Sequence, residues 1–225
     1  MPPSLGGNFP SIVNRGIVDN RGVELILTHR NKISKDFSYH VRGNMTYSEN
    51  RHIKTDDSPN IPDYQKRVGQ PLGGRLGFVA EGLFQSEEEI ANSPLLKQDV
   101  RPGDIKYKDL NGDGKITYEQ DRTWIGESSL PDLMFGLNLG AQYKGFDMNV
   151  FLQGAAGTEI ALSGTYASGV EDNTSFTRAF ATNGNTPYYL VEDSWTPENR
   201  DAEFTRLSTE FRSNNAYASS WWIRD

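Results

Sequence analysis

The segment KDLNGDGKITYEQD, residues 108 to 121, places Asp109, Asn111 and Asp113 two residues apart and then gives a glycine. A calcium loop of the EF-hand type takes side-chain oxygens from positions 1, 3 and 5, turns sharply at a glycine in position 6, and uses a backbone carbonyl at 7, a group at 9 and a carboxylate at 12. In that frame Asp109, Asn111 and Asp113 are the first three ligands, Lys115 offers its carbonyl, and Thr117 fits position 9. Position 12 is Gln120, so the closing acid would be Asp121, one residue late. The competing reading is a polar turn, because Asp, Asn and Gly bend the chain by bonding their own backbone. The expected ion, if this is a metal loop, is structural calcium.

The flanks bear on which kind of protein carries such a loop. Ile105 and Tyr107 alternate with Lys106 and Lys108, a strand period, where a calcium sensor needs a helix. Downstream, Gly126 and Pro131 follow too soon for a second helix. The loop therefore reads as a staple inside a β-rich protein.

No catalytic constellation accompanies it. His29, His40 and His52 lack ligand spacing, and the chain carries no nucleophile elbow, P-loop or dinucleotide fingerprint. An enzyme is not expected. Tyr188, Tyr189 and Trp195, in and after a Ser-, Thr-, Asn- and Gly-rich stretch, are candidates to stack on a substrate such as a sugar.

The elements that must position these residues are strands. Of the 225 residues, 11% are aromatic and 22 are glycine, a composition that suits strands and loops. The formal charge, 23 basic against 30 acidic residues, is −7, which disfavours a nucleic-acid partner. There is no cysteine, so neither a disulfide framework nor a thiolate metal site is available. No apolar run is long enough for a membrane-spanning helix, and the first residues lack the basic start and apolar stretch of a signal peptide.

Four segments alternate cleanly. Val23, Leu25 and Leu27 oppose Glu24, Ile26 and Thr28; Phe37, Tyr39, Val41, Met45 and Tyr47 oppose Ser38, His40, Arg42, Asn44 and Thr46. Leu133 to Tyr143 and Phe146 to Leu152 repeat the pattern across a Lys144–Gly145 turn. Their length approaches the roughly 9–11 residues with which a tilted strand crosses a bilayer. Short connections fall at one end and long ones, residues 48–132 and 155–220, at the other, as in outer-membrane barrels. The expected fold is thus all-β, antiparallel strands of a partial transmembrane outer-membrane β-barrel with long extracellular loops. Within the first loop, Ser86 followed by Glu89 predicts a capped short helix ended by Pro94.

In order along the chain, YQKRVGQPLGGRLGFVAEGLFQSEEEI, GDIKYKDLNGDGKIT, DRTWIG, PDLMFGLNLGAQYKGFDMNVFLQGAAG, WTPENRDAEFTRL and SSWWIRD resemble the C-terminal part of SusC/RagA-type TonB-linked outer-membrane transporters of Bacteroidetes. The opening GIVDNRGVELILTHRNKISKDFSYHVRGNMTYSEN is similar to the preceding hairpin. The resemblance covers nearly all of residues 1–225. It implies glycan or peptide import at the cell outer membrane with a SusD-like surface lipoprotein as lid and outer-membrane lipid around the barrel. Energy would come from TonB through an N-terminal plug. Plug, TonB box and signal peptide are expected to be absent here, so the chain is read as a barrel fragment that does not transport alone. The alternative is a secreted, soluble β-rich module with a calcium-stapled loop that binds carbohydrate. The two differ in whether Phe37, Tyr39, Leu137, Leu139, Phe146 and Val150 form a dry core.

Overall fold

The computed structural model describes residues 15–162, 188–208 and 214–224. The alternating segments form strands at the expected places. β1 (Ile17–Lys32) and β2 (Phe37–Lys54) pair along their whole length, and β7 (Leu133–Tyr143) and β8 (Phe146–Ala156) complete a four-stranded antiparallel sheet in the order β1-β2-β7-β8. Between β2 and β7 lie β3 (Arg75–Phe78), β4 (Ala80–Leu83), helix α1 (Glu87–Ala91), β5 (Ile105–Tyr107) and β6 (Arg122–Gly126). After β8 come β9 (Ile160–Ala161), helix α2 (Tyr188–Glu192) and β10 (Ile223–Arg224).

The register keeps one face apolar across the sheet. Leu25, Met45, Phe135 and Gly154 are successive partners, as are Val41, Leu139 and Val150, because antiparallel partners share a face. The β7-β8 connection is the two-residue Lys144–Gly145 turn. Both residues have positive φ, 46° and 86°, the backbone a type I′ hairpin needs to match strand twist. On the polar face His40 Nε2 meets Asn138 Oδ1 at 2.9 Å, across the β2-β7 pair.

The expectation of a partial transmembrane barrel is corrected by the topology. The four-stranded sheet stays open, with β1 and β8 at its edges, and the remaining strands form three separate two-stranded sheets: β3-β6, β4-β5 and β9-β10. Among the described residues no sheet closes, and no helix is long and apolar enough to cross a membrane. The physical reason is that period-two alternation fixes which face of a sheet is apolar and says nothing about whether its edges meet. The sandwich alternative gains nothing from this sheet. Phe37, Tyr39, Leu137 and Leu139 are half-buried, Phe146 and Val150 are exposed, and none belongs to the buried clusters.

The core lies in the long connections instead. Phe78, Leu83, Ile105, Tyr107, Ile116, Leu190, Trp195, Phe204 and Trp222 pack together from three stretches of chain, with Phe78 and Tyr107 rings 4.9 Å apart. A smaller cluster of Phe84, Ile90 and Val100 sits under α1. That helix is capped as expected: the Glu89 N–H donates to Ser86 Oγ at 3.1 Å, and the Glu89 carboxylate accepts from the Gln85 N–H at 2.8 Å. It ends at Ala91, ahead of Pro94.

Candidate functional site

The loop 109–121 leaves β5 and returns through β6, and two buried residues pin it to the body. Ile116 enters the main core, and the Asp121 side chain is fully buried. Asp121 locks the base: Oδ1 accepts from the Leu110 N–H at 3.0 Å, while Oδ2 accepts from the Thr117 N–H at 2.7 Å and its hydroxyl at 3.2 Å. Outside, the short turn Asp63–Gln65 grips the exit. Tyr64 donates its hydroxyl to the Gln120 carbonyl, and Gln65 Nε2 donates to the Glu119 carbonyl at 2.9 Å.

Asp109 organises the rim. Its two oxygens accept from the Gly112 and Gly114 N–H groups, each at 2.7 Å, and both glycines take positive φ, 74° and 81°, to present them. Desolvation works to raise the Asp109 pKa, but the N–H groups of Gly114, Gly112, Asp113 and Asn111 outweigh it and hold the carboxyl below its usual range. Asp113 Oδ1 accepts from the Lys115 N–H at 2.9 Å. Asn111 Oδ1 accepts from the Asp113 N–H at 3.0 Å, and Asn111 Nδ2 donates to Asp113 Oδ2 and Gln120 Oε1. Burial raises the Tyr64 phenol, and Asp121, Asp109 and Asp113 add to it, so the loop carries a negative field.

The expected ligand set therefore divides in two. Asp109, Asn111, Asp113 and Lys115 sit together on the rim, whereas Thr117 and Asp121 face each other inside. The residue that reaches back to the rim is Gln120, at position 12 itself. Among the described residues no three His, Cys, Asp or Glu side chains converge as a metal cluster. The rim offers two carboxylates and one amide oxygen, a donor set of hard oxygens of the kind calcium takes.

The aromatic candidates also separate. Trp195 is in the core, its indole N–H donating to Gln85 Oε1 at 3.1 Å. Tyr189 is half exposed with its ring 5.7 Å from that of Phe204, and Tyr188 is 76% exposed. Tyr189 and Phe204 line a cleft of about 530 Å³ whose rim holds Glu192, Asp193, Glu203 and Arg224, the last two paired at 3.0 Å. The Ser- and Thr-rich residues 163–187 lie outside the described residues.

A buried polar knot had no counterpart in the sequence reading. Asp104, 1% exposed, accepts from Arg206 Nε at 2.7 Å, Asn215 Nδ2 at 2.9 Å and the Arg101 N–H at 2.9 Å. Asn215 Oδ1 in turn accepts from the Ile105 N–H, and its carbonyl accepts from the Trp222 indole. Burial pushes the Asp104 carboxyl up, against the opposing pull of the Arg206 guanidinium. The only local signal was Arg101-Pro102-Gly103-Asp104, a turn with proline second and a positive-φ glycine third, closed by the Asp104 N–H on the Arg101 carbonyl.

No family model matches the chain. Among curated proteins it is 31% identical over 170 residues to the TonB-dependent receptor P3 of Formosa agariphila, an alignment covering 70% of this chain and 17% of that protein. It is 28% identical to TonB-dependent receptor P26 of the same organism, over 96% of this chain and 22% of that one. TonB-dependent receptor SusC of Bacteroides thetaiotaomicron is 22% identical, over 76% and 18%. The chain thus spans about a fifth of the length of these relatives. Among solved structures, the RagAB peptide transporter matches 99% of this chain with a TM-score of 0.60 at 18% identity, covering 23% of its own chain. The RagAB peptide importer in its open-open state gives the same score at 19% identity. The chain is a distant homologue of one part of the SusC/RagA-type TonB-dependent receptors.

Proposed function

We propose that the chain serves as part of a TonB-dependent importer at the outer membrane, one that takes up a glycan or a peptide and does not transport alone. The observation that supports this most is coverage. The likeness to P26 and to the RagAB transporter runs over 96% and 99% of this chain, through the sheet and the core-forming connections alike. A SusD-like surface lipoprotein is the proposed partner, and TonB, acting through a plug, the proposed source of energy. That the chain does not transport alone rests on its matching only 17% to 22% of the curated relatives. Tyr188 and Tyr189, beside the acidic cleft, are the proposed substrate contacts; Trp195 is turned into the core, with its indole N–H on Gln85.

Calcium is proposed at the rim of the loop, held by Asp109, Asn111, Asp113 and the Lys115 carbonyl. Thr117 and Asp121 keep the loop in shape rather than touching the ion, since Asp121 is fully buried at the base of the loop with its carboxylate on Leu110 and Thr117, away from the exposed rim. Bound there, the ion would neutralise the paired acids of the rim.

Fractionation tests the assignment. An epitope-tagged chain, expressed in the source cells, is expected in the outer-membrane fraction and to co-purify with a surface lipoprotein. Recovery only in the soluble fraction with no such partner would overturn it. Added to sugar-loaded liposomes, the purified chain is expected to cause no release; flux would show that it transports unaided.

A further inference from the structure

Asparagine followed by glycine is the dipeptide most open to spontaneous deamidation, because glycine has no Cβ to hinder attack of its own nitrogen on the preceding side-chain amide. Asn111–Gly112 is such a pair, at the exposed rim of the loop, and the space beside the Gly112 Cα is empty to 4 Å. Exposure and lack of hindrance favour the reaction. The hydrogen bonds around the pair oppose it.

In the reaction the Gly112 nitrogen bonds to Asn111 Cγ and gives up its proton. The Cγ–Nδ2 bond breaks, and Nδ2 leaves as ammonia carrying that proton. Water then opens the five-membered imide at one carbonyl or the other, giving aspartate or isoaspartate with no change of oxidation state. Two freedoms are needed: a Gly112 nitrogen able to turn toward Cγ, and a side-chain amide able to swing to meet it. In the folded loop the Gly112 N–H is held by Asp109 Oδ1 at 2.7 Å, while the neighbouring Gly114 N–H on Asp109 Oδ2 fixes the carboxylate. The Asn111 amide is held at both ends, Oδ1 by the Asp113 N–H and Nδ2 by Asp113 Oδ2 and Gln120 Oε1.

We propose that Asn111 is a deamidation site whose rate is set by the grip of Asp109 on the Gly112 nitrogen and of Gln120 on the leaving amide. While the loop is closed the asparagine persists; when it opens, the residue converts. Aspartate adds a third carboxylate to the rim, and isoaspartate inserts an extra backbone carbon that breaks the Asp109 cradle.

Peptide mapping of the full chain, aged in mildly alkaline buffer, reads the conversion directly as a mass gain at residue 111 and as isoaspartate. The folded chain is expected to convert at least about tenfold more slowly than the same chain in urea, the factor set by local opening. Asp109→Ala is expected to convert about tenfold faster than the unsubstituted chain, as befits loss of a hydrogen bond to a charged acceptor. Gln120→Ala leaves Asp109 in place and is expected to accelerate conversion less; it keeps the test decisive if Asp109→Ala does not fold. Equal rates in folded and unfolded chain would overturn the proposal. So would a slower rate in Asp109→Ala, the result expected if the carboxylate acted as the base, or an unchanged rate in Gln120→Ala.

Discussion

Gly103 is packed directly against Trp195 of the main core and against Arg206. It has φ 88°, and a Cβ there would lie 2.5 Å from the Trp195 ring and 2.8 Å from Arg206 Cβ. Its N–H donates to the Phe84 carbonyl, and its carbonyl accepts from the Arg206 N–H. Gly103→Ala therefore combines backbone strain with overpacking and is expected to cost roughly 2–5 kcal/mol, read as a lower urea midpoint. Arg206→Met leaves the Asp104 carboxylate buried without its cation and is expected to cost about 3–5 kcal/mol by the same measurement. Asp109 supplies the pH test. Its folded pKa is lowered, so its contribution to stability is full above the unfolded value, about 3.9, and is lost as pH falls through the folded value. Asp109→Asn should remove that component, giving a urea midpoint that falls less on acidification than that of the unsubstituted chain. Both Asp109 and its loop were visible in the sequence, because the ligand spacing lies within a dozen residues. Asp104 was not, because its partners Arg206 and Asn215 lie 102 and 111 residues away, and no local pattern encodes such a meeting.

At the scale of elements, the legible features were those written by neighbours. The Ser86 cap of α1 and the Lys144–Gly145 hairpin follow from a few adjacent residues, and both form as read. Ser86→Ala should destabilise by about 1 kcal/mol, measured as a shift in urea midpoint. The strands were legible too, from alternation; β1 and β2 prove longer than the alternating cores alone suggested, running to Lys32 and Lys54. What alternation could not supply was sheet closure or the destination of the connections. The short runs Arg75–Phe78 and Ile105–Tyr107 each find a partner in a separate small sheet, and their buried faces build the core that the long strands do not. Position 12 of the loop belongs to this scale as well. Gln120 reaches Asn111 while Asp121 turns inward, because the chain must enter β6 at Arg122.

In the whole molecule an open four-stranded sheet adjoins a core built from the chain that connects and follows its long strands. Backbone bonds tie the two at the far end of β2, where the His52 N–H donates to the Gln70 carbonyl and the Gly69 N–H to the His52 carbonyl. Likeness over nearly all of this chain, and over only a fifth of its relatives, makes it a homologue of one part of the SusC/RagA-type TonB-dependent receptors. The rim of the loop offers an independent check on calcium. Titration calorimetry of the purified chain with calcium should show one site, lost in Asp113→Ala and retained when Glu87, far along the chain, is changed instead; no heat in the unsubstituted chain would rule out calcium at the rim. The central claim is tested most directly by deleting the coding sequence in the source cells and measuring growth on a panel of single glycans and peptides beside a strain lacking TonB. Loss of growth on one source, the same source failing without TonB, is the predicted result. Unimpaired growth of the deletion strain on every source that requires TonB would contradict it.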